Sequence, residues 1–229
     1  MSDAITDKAL VVSLQKEIDE LQVRLVLKMP PYSPKPGEKL RRLSLVWREA
    51  LLHRIVDLSS AALQMFQQGR LVPGCTLTRS VYETVAQLYC FHKKIVTAVE
   101  KKNLKEISEQ VDKGAWGSKD GSTEVTATNV LTAISHLNKE FKGSEGEYFH
   151  LCEYAHPNMK GVLGSYTCFD LPAYNVTFGV NPQRLPVETF GLGGLKLALL
   201  VAKELIERHQ KIEPLFNEVI ERNAGAFAD

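Results

Sequence analysis

The sequence has no closely spaced cysteines, no long apolar run and almost no net charge, and each absence excludes a class of protein. The four cysteines form no Cys-x-x-Cys pair, which excludes a zinc ribbon or a thioredoxin-type motif. The most apolar run covers residues 197–202, between charged residues, and falls far short of a membrane span. This short run is why we expect no membrane partner. A net charge of +1 is not the basic excess of a nucleic-acid scaffold, so we also expect no DNA partner.

The N-terminus and the cysteines indicate where the protein resides. The first residues, MSDAITDKAL, carry two acids and no apolar segment, so they are not typical of a signal peptide. Free cysteines in an apolar helical stretch are typical of a reducing compartment. A core built from 229 residues needs neither disulfides nor a structural metal. We therefore expect a cytoplasmic protein, and no motif in the sequence indicates a cofactor.

Helical periodicity runs through most of the chain and predicts a mainly α fold. The predicted helices cover residues 39–68, 73–94, 101–112, 123–141, 145–155 and 186–221, and residues 114–122 are predicted to form a loop. The β-branched and aromatic runs SYTCF and YNVTF predict one short β-hairpin at about residues 165–179. Residues 38–229 are thus expected to form a single helical-bundle domain.

Residues 1–28 contain a predicted N-terminal helix with an apolar seam. The seam residues are spaced alternately by 3 and 4, which favours two-stranded pairing: Val11, Leu14, Ile18, Leu21 and Leu25. The seam lasts only about two heptads, fewer than a coiled coil needs. Two interpretations stay open, a dimerisation arm that makes the protein a homo-oligomer, with a dimer favoured, or a helix that packs on its own chain. Residues 29–37 contain four prolines and predict a linker.

One apolar helix carries an isolated pair of opposite charges. Residues 71–91 contain only two charged side chains, Arg79 and Glu83, whose spacing of four puts them on the same helix face. A helix with so few charges is typically buried on more than one side. We therefore expect Arg79 and Glu83 to line a pocket or lie in the interior, where the pair could equally serve to lock two helices together.

The stretch EYFHLCEYAHPNMKG, residues 147–161, concentrates polar and aromatic side chains at the end of a predicted helix. Helical spacing puts Tyr148, Cys152 and His156 on one face. Pro157 disfavours helical geometry at His156 and predicts that the helix ends there. Asn158 supplies turn chemistry, so His156 is expected at a sharp helix-to-loop turn. The alternative is a buried histidine whose ring is satisfied by backbone carbonyls.

Metal and phosphate-loop motifs do not fit the sequence. The two Glu-x-x-His motifs, Glu147 to His150 and Glu153 to His156, share one short helix and diverge by about 240°, so we expect no metal site. The run GLGGLK at residues 191–196 lacks the last glycine of a G-x-G-x-x-G motif and follows no strand. It predicts close packing of helices.

The motifs RSVYE, residues 79–83, and YFHLCEYAHPN, residues 148–158, resemble a mainly bacterial, uncharacterised all-helical family. That family has an Arg-Ser-aromatic-Glu helix followed by a Tyr-x-x-Leu-Ser-x-x-x-His segment that often continues as Pro-Asn. The match covers roughly residues 40–165, and Cys152 stands where the family has serine. The resemblance implies a helical bundle in which the two segments meet, and it implies no established activity. A more distant similarity is to the helical ribonuclease-type domains of toxin and defence systems.

Two functions follow as hypotheses. The first is a non-catalytic, self-associating or binding module in which an Arg/Glu/His cluster binds a small anionic ligand, since an arginine fork suits phosphate or carboxylate. Its predicted ligand-binding residues are Arg79, Tyr82, Tyr148 and Asn158. The alternative is a metal-independent ribonuclease with RNA as its substrate. In it, His156 acts as general acid or base, Arg79 stabilises charge on the phosphate, and Glu83 orients Arg79.

Overall fold

The fold was obtained as a computed structural model that describes residues 8–32, 35, 37–180 and 185–223. The described structure is 75% helical, with eight helices and one two-stranded antiparallel hairpin, which confirms the mainly α prediction. The helices are α1 (Lys8–Gln22), α2 (Glu38–Gln67), α3 (Leu71–Lys101), α4 (Lys105–Trp116), α5 (Val130–Glu140), α6 (Ser144–Ala155), α7 (Gly164–Tyr166) and α8 (Leu185–Arg222). A single π-helical turn, Met159–Leu163, lies between α6 and α7. Residues 1–7, 33, 34, 36, 181–184 and 224–229 lie outside the described residues. The predictions for the start of the N-terminal helix, for part of the linker and for the C-terminal end of the domain fall there.

Several helix boundaries differ from those predicted, and local contacts explain the largest differences. Helix α5 begins at Val130 rather than at residue 123, because the Asn129 side chain accepts the N–H of Leu131 and caps the helix there. Helix α4 continues to Trp116, into the predicted loop, and Gly114 lets it approach the Trp47 ring. Helix α3 extends beyond residue 94 to Lys101, and α1 ends at Gln22 rather than at residue 28.

Helix α3 is the centre of the bundle. It packs against α2, α8, α6, α5 and α4, so most of its circumference is covered by protein. Its buried apolar side chains join two clusters, a large one shared with α1, α2, α6 and α8 and a smaller one shared with α4 and the C-terminal part of α8. Val85 of α3 belongs to the large cluster and Phe91 of α3 to the smaller one, and both are fully buried.

The apolar seam of α1 faces its own chain. Leu14, Ile18 and Leu21 are between 0% and 2% exposed and belong to the large cluster, and α1 contacts α2 and α8. An ion pair of 2.6 Å between Lys203 of α8 and Glu20 adds a polar contact beside the seam. Of the two interpretations, the structure therefore has the helix packed on its own body. The predicted dimer stays a prediction, and it would have to use another surface.

Close contact between α2, α3 and α8 depends on two glycines. A Cβ atom at Gly74 would lie 2.6 Å from the Phe66 ring, and one at Gly191 would lie 2.7 Å from the same ring. Real Cβ atoms do not approach carbon so closely, so each position admits no larger residue without movement of Phe66. Gly191 begins the GLGGLK run, which confirms the prediction that this run serves close helix packing.

The predicted β-hairpin is confirmed. Strands β1 (Thr167–Asp170) and β2 (Asn175–Phe178) pair antiparallel, with Thr167 opposite Phe178 and Asp170 opposite Asn175. Every residue of β2 is exposed, and the aromatic residues Tyr174 and Phe178 are 96% and 84% exposed. The hairpin therefore projects from the bundle without adding to the core. Among the described helices, none is both long and apolar enough to cross a membrane.

Two buried histidines lie where α2, α3 and α8 meet. The rings of His92 and His209 have centres 6.4 Å apart, and His209 also stacks on Phe91 at 5.9 Å. Both are 6% exposed, and neither Nδ1 atom has a hydrogen-bond partner among the described residues. Burial, together with the nearby charge of Arg48, lowers the pKa of His209 to about 3, and burial also lowers that of His92. Both side chains are therefore neutral in the folded protein near neutral pH.

Replacing the seam residue Ile18 with alanine is expected to lower the free energy of unfolding by about 2–5 kcal/mol, because it opens a cavity in a closed core. The matched control is Val12→Ala on the same helix, which is 69% exposed and should change the stability by less than about 0.5 kcal/mol. Urea denaturation followed by circular dichroism measures both. Equal, small effects of the two substitutions would show that the seam is not packed in solution.

Stability is expected to fall as the pH drops below about 6.5, the pKa of histidine in the unfolded chain. The unfolded chain takes up a proton there, whereas folded His209 does so only near pH 3, so its contribution is fully present above 6.5 and is lost between 6.5 and 3. The loss is about 1.4 kcal/mol per pH unit for one such group. His209→Phe should flatten the dependence of unfolding free energy on pH, and His136→Gln, an exposed control, should not. Parallel pH profiles for His209→Phe and wild type would contradict the assignment.

Candidate functional site

The two segments singled out in the sequence meet through a three-residue contact between α3 and α6. Oε1 of Glu83 accepts a hydrogen bond of 3.0 Å from the Tyr148 hydroxyl and also lies 3.0 Å from Nη2 of Arg79. The guanidinium carbon of Arg79 lies 5.7 Å from the centre of the Tyr148 ring, within the range of a cation–π interaction. Arg79 is therefore held both by the carboxylate and by the ring, and the predicted meeting of these segments is confirmed.

The Tyr148 hydroxyl serves as a hydrogen-bond donor at all physiological pH values. Burial, reinforced by the neighbouring Glu83 carboxylate and opposed by Arg79, raises the pKa of Tyr148 to about 12. The hydroxyl is thus protonated, and Glu83 is the acceptor in their hydrogen bond. Because Tyr148 is only 1% exposed, its position is fixed by packing, and it fixes Glu83 in turn.

Arg79 opens onto a cavity of about 720 Å³, which we call the Arg79 cavity. This volume lies within the range of about 300–1,000 Å³ that small-molecule sites occupy. The cavity lies between α3, the start of α5, α6 and the loop before α5. It is lined by Arg79, Lys119, Asn129, Val130, Leu131, Gly146, Tyr148, Phe149, His150, Cys152, Glu153 and His156.

His156 is exposed and lines the Arg79 cavity. Its backbone is extended, with a ψ angle of 149°, and its N–H donates to the Cys152 carbonyl at 3.0 Å. His156 therefore forms the C-cap of α6, as predicted. The alternative of a buried, backbone-satisfied histidine is wrong, because His156 is exposed. The predicted face of Tyr148, Cys152 and His156 is confirmed, since all three side chains line this cavity.

Two of the predicted ligand-binding residues do not line the Arg79 cavity. Tyr82 is 1% exposed, and its hydroxyl lies in the interior without a hydrogen-bond partner among the described residues. The Asn158 side chain is engaged in the turn after α6, where its Oδ1 accepts from the N–H of Gly161 at 3.0 Å and its Nδ2 donates to Glu153 at 3.1 Å. Neither side chain therefore contributes to the wall of this cavity.

Sequence reasoning missed several residues of the cavity, among them Lys119 and the residues at the start of α5, Asn129, Val130 and Leu131. Lys119 lies on the loop before α5, so no helical spacing could relate it to Arg79. His150 does not share the helical spacing of Tyr148, Cys152 and His156, but it also lines the cavity, and its ring packs on Phe190 with centres 4.2 Å apart. Phe149 is 51% exposed, and that exposure is visible only in the fold.

A second cavity adjoins the first. It has a volume of about 350 Å³ and shares Arg79, Lys119 and Val130 with the Arg79 cavity, and we call it the Arg54 cavity after its additional cation. Arg54 is exposed on α2, and its Nε donates to Thr84 at 3.2 Å. Glu83 lines this cavity as well, so both members of the Arg79–Glu83 pair are pocket-lining residues, as predicted.

The Cys152 thiol is a neutral part of the cavity wall. Burial raises its pKa above the ordinary value for a thiol, and Arg79 opposes that effect only in part. A protonated thiol is a weak nucleophile and a weak metal ligand. Among the described residues, no group of three His, Cys, Asp or Glu side chains is arranged to hold a metal ion.

The contact between the RSVYE and YFHLCEYAHPN motifs is therefore a feature of this fold, established by the distances between Arg79, Glu83 and Tyr148. Comparison of the chain with known protein families, with curated proteins and with solved structures finds no match, so the family resemblance carried by these motifs stays a prediction.

Proposed function

We propose that the protein binds a small anionic ligand in the Arg79 cavity. The observation that carries the proposal is that Arg79 and Lys119 line both this cavity and the Arg54 cavity. Two cations are thereby directed at the same open space, where a phosphate or carboxylate could reach both. Only one carboxylate, Glu83, pairs with Arg79 among the described residues, which leaves other N–H donors of the guanidinium for a ligand.

The balance of charge around the two cavities supports an anion. Three permanent cations line them, Arg54, Arg79 and Lys119, against two carboxylates, Glu83 and Glu153. Lys119 forms no ion pair within the described part of the chain, so its charge is not neutralised by a protein partner. The net charge of the whole chain is only +1, so this local excess is a property of the site rather than of the protein as a whole.

The remaining lining residues support a ligand that also has an apolar body. Phe149 is 51% exposed and Leu131 is also 51% exposed, and both border the cavity.

Tyr148 and Glu83 have the separate task of orienting Arg79, because both contact it and neither carries a free cationic donor. A preorganised arginine loses less conformational entropy on binding and so binds more tightly.

Inorganic pyrophosphate is a suitable probe for this proposal, measured by isothermal titration calorimetry at low ionic strength. Arg79→Gln is expected to weaken the binding associated with this cavity at least tenfold, because a charge-assisted hydrogen bond contributes about 1.5–3 kcal/mol. The affinity of Arg79→Lys should lie between those of the wild type and Arg79→Gln, since lysine keeps the charge but lacks the planar fork. Arg222→Gln on α8 is the control, because its side chain is 67% exposed and does not line the cavity.

The proposal fails if Arg79→Gln, Arg222→Gln and the wild type bind pyrophosphate with the same affinity and stoichiometry. Thermal unfolding of each variant separates loss of binding from loss of structure. Binding should also weaken as salt is added, because the contacts are partly exposed and are screened.

One observation favours a second candidate, a metal-independent ribonuclease. His156 is exposed and lines the same cavity as Arg79. As a general base it would take the proton of an RNA 2′-hydroxyl, whose oxygen then attacks the adjacent phosphorus. The 5′-oxygen leaves with a proton from water, and a 2′,3′-cyclic phosphate remains. Arg79 would stabilise the charge on the phosphate oxygens during this step.

The ribonuclease candidate predicts cleavage of a fluorescent single-stranded RNA in the presence of EDTA. His156→Ala should reduce the cleavage rate by about 100-fold or more, the usual contribution of general acid–base catalysis. His53→Gln on α2 should leave the rate unchanged, since His53 contacts the Val26 carbonyl rather than the cavity. Pyrophosphate binding without any RNA cleavage would retain the binding function and reject this candidate.

A further inference from the structure

A third cavity lies beside α5. It has a volume of about 370 Å³ and lies between α3, α4 and α5, and we call it the lysine cavity. Its polar lining includes Lys93 and Lys94 from α3, Gln110 from α4, and Thr132, His136 and Lys139 from α5. Nothing in the sequence motifs pointed to it, because these residues come from three separate helices.

The lysine cavity is more strongly cationic than the Arg79 cavity. Three lysines line it, and no aspartate or glutamate does. Lys94 is paired with Glu106 at 2.7 Å, but Lys93 and Lys139 make no ion pair with any acid in the described ranges. Glu140 is the acid that acts electrostatically on Lys93, and its carboxylate is already paired with Arg208 and bound by the Tyr89 hydroxyl.

A buried amide adds an uncommitted polar group. Gln110 is 8% exposed and lines the cavity, and its Nε2 atom has no hydrogen-bond partner among the described residues. A buried amide without a partner costs about 1–3 kcal/mol of stability, so most such groups in proteins are satisfied. A ligand atom that accepts from Gln110 would remove that cost and would explain why a glutamine occupies this position.

Part of the lining is less polar. Tyr89, Cys90 and Ala133 form this part of the wall, and burial raises the pKa of the Cys90 thiol to about 11, so the thiol is neutral. The cavity therefore combines a wall that suits a flat or apolar body with lysine ammonium groups, which bind phosphate as point charges. Its volume admits one small molecule.

We propose that the lysine cavity is a second anion site, which takes a small organic molecule that carries a phosphate group. It is separate from the Arg79 cavity, because the two have no lining residue in common. Thr128, two residues before α5, lines both the lysine cavity and the Arg54 cavity, so the segment that leads into α5 borders both. Lys93 and Lys139 contact the phosphate, and Gln110 donates to the ligand.

The experiment uses the full chain with Arg79→Gln as background. This substitution weakens binding in the Arg79 cavity, so that ligand bound there does not obscure the result. Adenosine 5′-monophosphate is the probe and adenosine the uncharged comparison, with binding measured by calorimetry at low ionic strength. The background protein should still bind the monophosphate, and adenosine should bind at least tenfold more weakly. Adding Lys93→Gln and Lys139→Gln should weaken monophosphate binding at least tenfold.

The matched control is Lys8→Gln with Lys211→Gln, which removes the same charge from two exposed positions. Gln110→Glu provides an independent variant, since it keeps the shape of the side chain and repels an anion, and thermal unfolding checks that each variant folds. No monophosphate binding by the background protein, equal binding of adenosine, or unchanged affinity after the lysine substitutions would each overturn the proposal. These outcomes are distinct from failure of the Arg79 site, which is measured with the otherwise unmodified chain.

Discussion

The burial of α3 on most sides is the constraint on which the rest of the structure depends. Five other helices cover it, so its charged residues in the central turns lie where those neighbours leave a gap. The gap follows one face of the helix. Residues 83, 90, 93 and 97 fall within about 40° of Arg79 when projected down the helix axis, and each of them lines one of the cavities beside α3. From Arg79 to Lys93 the face extends about 21 Å, so one helix can supply cations to two well-separated cavities.

The sequence predicted the parts of the site that depend on one helix at a time. Arg79 and Glu83 are four residues apart, and Tyr148, Cys152 and His156 repeat every four, so helical geometry alone places each set on one face. It could not supply Lys119 or the start of α5, because both depend on a loop whose course is set by the Asn129 cap and by hydrogen bonds between Ser118 and residues 125 and 127, which have no helical periodicity. Tyr82 shows the converse limit, since it lies three residues from Arg79 and yet points into the interior.

The fold was predicted well where periodicity is strong and less well where helices end. Helix α2 and the hairpin agree with their predicted ranges, because a glycine-bounded amphipathic run and two aromatic β-branched runs are local signals. The sequence pattern could not decide whether the α1 seam pairs with a second chain or packs on its own chain. A heptad pattern describes what a helix needs to bury, and only the position of α2 and α8 decides that the same chain provides the cover.

The thiols that line the two cavities proposed to bind anions have a consequence for redox chemistry. Cys152 lines the Arg79 cavity and Cys90 lines the lysine cavity, and burial holds both in the protonated form. Oxidation to sulfenic acid begins from the thiolate, so both side chains are poor targets for peroxide although they lie beside binding cavities. The cations of each cavity are thus accompanied by a small thiol that is a weak nucleophile, and the proposed anion binding is expected to be the same in oxidising and in reducing surroundings.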